Sequence, residues 1–186
     1  MDSNQALDDL KTIRQIMDRT QKAAGGNGGW FMVIAGVMWI VGFTGNQFLS
    51  DEHAGWVWAV ANVGGILAMI WVGMRLARDS GMSTPMWKPA FLFWIALGVF
   101  SGLLIWLFHV NGVNRVGLLI LLVAAMGFVQ IGALFQHWLI GVTGILIAVL
   151  TIGAFLLFPA YFGLSMAILG GGLLVASGLW MIRSGR

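Results

Sequence analysis

The chain has 186 residues, of which 59% are hydrophobic and only 9% charged, with a mean hydropathy of +0.90. Soluble domains carry about 25% charged residues, so this composition points to a membrane protein and excludes an ordinary water-soluble globule. The formal charge of +3 rests on ten Lys and Arg, which gather at the ends of apolar runs and read as topology signals, so no nucleic-acid partner is expected. Cysteine is absent, which removes disulfides, thiolate metal sites, cysteine nucleophiles and Cys-linked lipids.

Residues 1–24 read as an amphipathic cytoplasmic leader helix. Leu7, Leu10, Ile13 and Met17 recur at helical spacing and make one apolar stripe. Ser3 or Asn4 can cap the start, and the early acids Asp8 and Asp9 with the late Lys22 suit the helix dipole. Asp2, Asp8, Asp9 and Asp18 balance Lys11, Arg14, Arg19 and Lys22. A helix made for anionic lipid would be basic, so this stripe is expected to dock on protein: its own bundle, or a partner. Residues 25–29 are glycine-rich and read as a flexible linker. The first apolar run begins only near Trp30, behind a leader rich in polar and charged residues, and no cleaved signal peptide is expected.

Residues 30–182 form the membrane domain, with expected spans at 30–49, 55–74, 89–110, 116–135, 138–158 and 160–182. Each is close to the roughly 20 residues that cross about 30 Å of hydrocarbon. The stretch 138–182 has no charged side chain and is interrupted only by Pro159. Helix is required, since lipid offers the backbone no hydrogen-bond partners, and a β-barrel would show short alternating segments instead. The expected fold is therefore all-α: a polytopic membrane protein of six transmembrane helices in three tight hairpins, after the leader, with residues 183–186 as a cytoplasmic tail.

Basic residues set the orientation. With six spans both termini share one side, and that side holds nine of the ten Lys and Arg, among them Arg75, Arg78, Lys88 and Arg183; the other side has Arg115. The positive-inside rule then makes both termini cytoplasmic. Trp30, Trp87, Trp138 and Trp180 would form an inner aromatic belt, and Trp56, Trp58, Trp106 and Tyr161 an outer one. The basic loop 75–88 reads as a solvated connector or as a contact for inner-leaflet phospholipid.

Small residues mark helix-packing faces. Gly65, Gly73 and Arg78 share their spacing with Gly170, Gly178 and Arg183, and Ala124, Gly132 and His137 fit a relaxed form. Three hairpins related by duplication would explain this; so would chance in a chain with 27 glycines. Small-xxx-small pairs occur at Ala61–Gly65, Gly98–Gly102, Gly144–Ala148 and Gly163–Ala167–Gly171. Such pairs let helices approach closely within one bundle or between copies. Asn62, beside Gly64 and Gly65, and Gln130, near Gly127 and Gly132, are the strongest candidates for interhelical hydrogen bonds, or for the polar lining of a solute path.

No Asp, Glu, Lys or Arg lies deep in any span. Proton relays and ion-coupled carriers place one there despite its cost. No nucleophile–base pair, carboxylate pair or phosphate loop is present, so neither catalysis nor a cofactor is expected. His53, with Asp51 and Glu52 near it, and His109 are expected at the outer surface and are weak candidates for a metal site; the rival reading is ordinary interface histidines.

The leader segment Leu7-Asp8-Asp9-Leu10-Lys11-Thr12-Ile13-Arg14-Gln15-Ile16-Met17-Asp18-Arg19 resembles the leaders of a family of small, uncharacterised bacterial inner-membrane proteins, of type Ile-Arg-x-x-Met-x-Arg. The end, from Phe158-Pro159-Ala160-Tyr161-Phe162-Gly163 through Gly170-Gly171-Gly172 to Ile182-Arg183, is similar to the closing hairpin of the same group. The resemblance implies a six-span layout and carries no activity. The function expected from the sequence is thus a non-catalytic accessory or scaffold subunit, in contact with membrane lipids and with protein partners or further copies of itself. The alternative is a channel or carrier for a small neutral solute.

Overall fold

The structure, a computed structural model, describes residues 28–80 and 87–184. The leader stripe Leu7, Leu10, Ile13 and Met17 lies outside the described residues, as does most of the expected linker. Every regular element among the described residues is helical: α1 (Gly28–Phe48), α2 (Asp51–Ser80), α3 (Trp87–Leu107), α4 (Val113–Leu134), α5 (Trp138–Leu157) and α6 (Pro159–Ser184). Gly28 and Gly29, expected at the end of the linker, are instead the first turn of α1. α1, α2, α4, α5 and α6 are each long and apolar enough to cross a bilayer. The exception is α3, whose described apolar stretch Leu92–Leu107 is shorter than a full span, although the helix as a whole has 21 residues.

The connection from α1 to α2 is shorter than the sequence suggests. α2 begins at Asp51, so Asp51 and Glu52 are its first turn and not a loop. Two carboxylates there face the positive end of the helix dipole. Between α4 and α5 only residues 135–137 intervene, with Gln136 in the left-handed region at φ 52°. Pro159 opens α6 as a single 3-10 turn, where its missing N–H costs nothing.

α6 is not uniform. Its middle, Met166–Gly171, is a π turn, which inserts one residue into the helical ladder. The insertion has a visible consequence. Gly178 and Gly171 are seven residues apart but Gly171 and Gly163 are eight, and all three face α1. The wider turn absorbs the extra residue and keeps the glycine face in line.

A four-helix core is built from α1, α4, α5 and α6. Met32, Ala125, Phe128, Ile140, Ile147, Leu174 and Met181 pack in the half nearer the start of α1. Phe43, Leu121, Ala154, Phe162, Met166 and Ala167 pack in the half nearer its end. α2 lies against α1, where Trp58 and Val57 sit over Gly42 and Gly45 and Met38 sits over Gly65. α3 lies against α4, where Leu97 and Trp94 cover Gly127. α2 and α3 are thus the edges of the bundle, and most of their residues are exposed. Exposed apolar side chains such as Val60, Leu67, Leu103 and Leu156 are what a lipid-facing surface requires.

Candidate functional site

Two close helix seams organise the molecule. In the first, α1 and α6 run antiparallel with their backbones nearly touching. A Cβ placed on Gly36 would lie 2.7 Å from the Gly171 carbonyl oxygen and 2.9 Å from the Val175 nitrogen. One on Gly178 would lie 2.9 Å from the Val33 nitrogen, and one on Gly163 would lie 2.8 Å from the Phe43 carbonyl oxygen. No residue larger than glycine fits without moving a helix. In the second seam, α4 and α5 do the same. A Cβ on Gly144 would lie 2.6 Å from the Ala125 carbonyl oxygen and 2.9 Å from the Val129 nitrogen, and one on Gly132 would collide with the backbone of Gly141.

The two seams share one register. Ala125, Val129 and Gly132 of α4 stand at the same spacing as Gly171, Val175 and Gly178 of α6, and they meet Gly144 as the others meet Gly36. Gly36 and Gly144 each follow a tryptophan, Trp30 and Trp138, by the same interval. Of the spaced residues noted in the sequence, Gly132 and Gly178 take equivalent places in the two seams, whereas Ala124 and Gly170 stand one residue before the seam positions Ala125 and Gly171. The first copy behaves differently: its Gly65 packs under the Met38 side chain in the hairpin, away from any third seam.

The end of the bundle where α1 finishes and α4 and α6 begin is closed by amides. Gln47, at the end of α1, donates from Nε2 to the Ala160 carbonyl (3.1 Å) and accepts at Oε1 from the Leu164 N–H (3.2 Å). It therefore holds both sides of the first turn of α6. Asn114, in the first turn of α4, donates to the Pro159 carbonyl at 2.9 Å. Asn46 accepts from the Trp58 indole N–H at 3.0 Å and ties α2 to α1. Beneath these bonds lies an edge-to-face aromatic chain: Phe43 meets Trp58 at 5.1 Å and Phe162 at 6.4 Å, and Phe162 meets Phe155 at 5.9 Å. Trp58 was expected in the outer belt; its ring is instead half-buried over Gly42. Trp30, Trp56, Trp106, Trp138, Tyr161 and Trp180 are exposed, as belt residues must be.

Inside the bundle the polar groups are hydroxyls. Thr143 Oγ1 lies 2.8 Å from the Leu139 carbonyl oxygen and 3.1 Å from Ser177 Oγ, joining α5 to α6. Thr151 is fully buried, with its hydroxyl unpartnered. Large side chains, among them Ile147, Leu174, Met166 and Met181, fill the space around them.

The remaining sequence candidates fall as follows. Asn62 is exposed, and its Nδ2 donates to the Trp58 carbonyl of its own helix at 2.8 Å, not to a neighbouring helix. Gln130 is also exposed. Gly163 and Gly171 lie in the α1–α6 seam, whereas Gly98 and Gly102 face open space. His53 Nδ1 pairs with Ser50 Oγ at 2.7 Å, and His109 Nδ1 with the Leu107 carbonyl at 3.2 Å. Among the described residues no three His, Asp or Glu side chains gather as a metal site. Arg75 sits over the Trp71 ring at 5.6 Å, a cation–π pair, and Arg78 and Arg183 are exposed. The Lys88 side chain lies outside the described residues.

The sequence reading singled out Asn62 and Gln130 and passed over Gln47 and Asn114 as binding groups. The signal that marks the latter pair is position. Both stand at helix ends beside Pro159, where backbone carbonyls and N–H groups lack helical partners.

Comparison with known protein families, with curated proteins and with solved structures finds no match.

Proposed function

We propose that the protein is a non-catalytic, six-span protein of the bacterial inner membrane with both termini in the cytoplasm, acting as an accessory or scaffold subunit of a membrane assembly. One observation carries the reading: polar and small residues that a lipid-facing helix has no use for stand on the outside of the bundle, while the inside is filled. Asn62, Gln130, Gly98 and Gly102 are exposed, and Ile147, Leu174, Met166 and Met181 occupy the core. Surface of that kind fits contact with other helices. The orientation rests on the basic residues: Arg75, Arg78 and Arg183 lie at the ends of α2 and α6 that share a side with the start of α1. The carrier alternative needs Asn62 and Gln130 on a path through the protein, and neither side chain belongs to the packed interior.

The test is isolation from native membrane in lipid particles after crosslinking in cells. The expected outcome is recovery in a complex of fixed stoichiometry. A lone protomer, with nothing attached under any crosslinker, removes the proposal. Flux of neutral solutes through liposomes that is lost in Asn62→Leu, Gln130→Leu would favour the carrier instead.

A further inference from the structure

The bundle contains the same antiparallel seam twice, α6 on α1 and α4 on α5, each joining the second helix of one hairpin to the first helix of the next. The hairpin order calls for a third such seam, α2 on α3. It is not packed. Ile66 is 40% exposed and Val99 is 59% exposed, and Asn62, Gly98 and Gly102 are exposed as well. A Cβ added to Gly98 or to Gly102 would meet nothing within 4 Å. Among the described residues, no helix from α3 to α6 packs extensively on α2, and of α2, α4, α5 and α6 only α4 does so on α3.

We infer that this open pair of edges is where a second copy of the chain docks, α2 of one protomer against α3 of the other and the reverse. The inference rests on the proposed role as a subunit of a membrane assembly and names one of its contacts. Three observations argue for this occupant. First, the closed seams show what the face needs: a glycine from an inward-starting helix set on two residues one turn apart on its antiparallel neighbour, as Gly36 sits on Gly171 and Val175. Ile66 and Ile70 on α2 are spaced in that way, and Gly98 and Gly102 on α3 are free to meet them. Second, Asn62 stands one turn from Ile66, well inside the helix, with only its own backbone to bond. An amide at that depth gains from a covering helix and not from lipid. Third, the contact is self-complementary. A two-fold axis along the membrane normal keeps both protomers upright, makes α2 and the partner's α3 antiparallel, and forms the seam twice in a closed pair.

The chain has no cysteine, which makes the test direct. Ile66→Cys and Val99→Cys are placed in separate, differently tagged copies and co-expressed. Oxidation in intact membranes is expected to give a mixed dimer carrying both tags. Adding Gly98→Leu and Gly102→Leu to both copies is expected to reduce that dimer by about tenfold, the loss of one interhelical packing contact. Gly153→Leu, also with nothing within 4 Å of its Cβ, is the control and is expected to leave the dimer unchanged. Since Gly98 and Gly102 meet nothing among the described residues of the protomer, the Leu variants should unfold no lower than the parent, and this separates loss of docking from loss of fold. A disulfide formed only when both cysteines share one copy would mean that α3 closes on its own α2, and would overturn the inference. So would no disulfide in either arrangement, or a mixed dimer that survives both Leu substitutions. Recovery of other proteins with the chain reports on the subunit role separately, whichever way the cysteine result falls.

Discussion

Gln47 and Asn62 are both amides on helices of an apolar bundle, and the contrast between them shows what a polar side chain does here. Gln47 serves a carbonyl and an N–H that the start of α6 leaves without helical partners. Replacing it by Leu strands both groups at a half-buried position. The cost of leaving such groups unmade is about 1–3 kcal/mol. Gln47→Leu is therefore expected to lower the thermal unfolding midpoint of the purified protein. Asn62→Leu is expected to leave that midpoint unchanged in the isolated protomer, since its one bond goes to a carbonyl already within its own helix. A differential scanning measurement on the two variants, side by side in the same detergent, checks this. Equal shifts would mean that the Gln47 bonds hold nothing together. Composition alone could not have separated the two amides. What separates them is that Gln47 ends a helix facing another helix's unpaired terminus, a tertiary fact.

The elements themselves were largely legible. Six continuous apolar runs became six helices with ends shifted by a few residues, because lipid leaves an apolar run no alternative to helix. The glycines announced close packing, but not which helices would meet: Gly163–Ala167–Gly171 finds α1 at the far end of the sequence, while Gly98–Gly102 finds nothing among the described residues. Helix pairing in lipid depends on small differences in fit, and spacing within one helix does not encode its neighbour. The π turn was equally hidden, since it exists to bring Gly163 and Gly171 onto one face once α1 is there. The seam geometry makes a graded prediction. Gly36→Ala and Gly144→Ala each push a methyl group against a carbonyl oxygen of the neighbouring helix, at 2.7 and 2.6 Å respectively. Overpacking of this sort costs about 1–3 kcal/mol, and the two seams should respond alike because they share a register. Gly153→Ala meets nothing and should be neutral or slightly stabilising, as alanine is the better helix former. Unfolding by denaturing detergent, followed by tryptophan fluorescence, orders the three. A neutral Gly36→Ala would show that α1 and α6 are not in this contact.

For the whole molecule, the arrangement of crossings follows from which helix ends lie together. Gly29 at the start of α1 faces Gly178 near the end of α6, so those two ends share a side of the membrane. Gln47 at the end of α1, Asn114 at the start of α4 and Ala160 at the start of α6 meet on the opposite side. Five of the helices have the length and apolarity of spans, and the direction of α3 is fixed by its place between α2 and α4. A chain that returned to its starting side without α3 crossing would leave α2 and α4 running in opposite senses. Yet α2 starts beside the end of α1, through the Trp58–Asn46 bond, and α4 starts there too. Both run the same way, which supports the proposed crossing of α3, a helix of 21 residues that at 1.5 Å per residue is long enough for about 30 Å of hydrocarbon. Single cysteines introduced into the cysteine-free chain test this reading. Ser50→Cys and Asn111→Cys are expected to react with a membrane-impermeant maleimide added to intact cells, and Ser184→Cys to react only after lysis. Labelling at 50 but protection at 111 would mean that α3 stays on the cytoplasmic side, and the shared direction of α2 and α4 would then have to be abandoned.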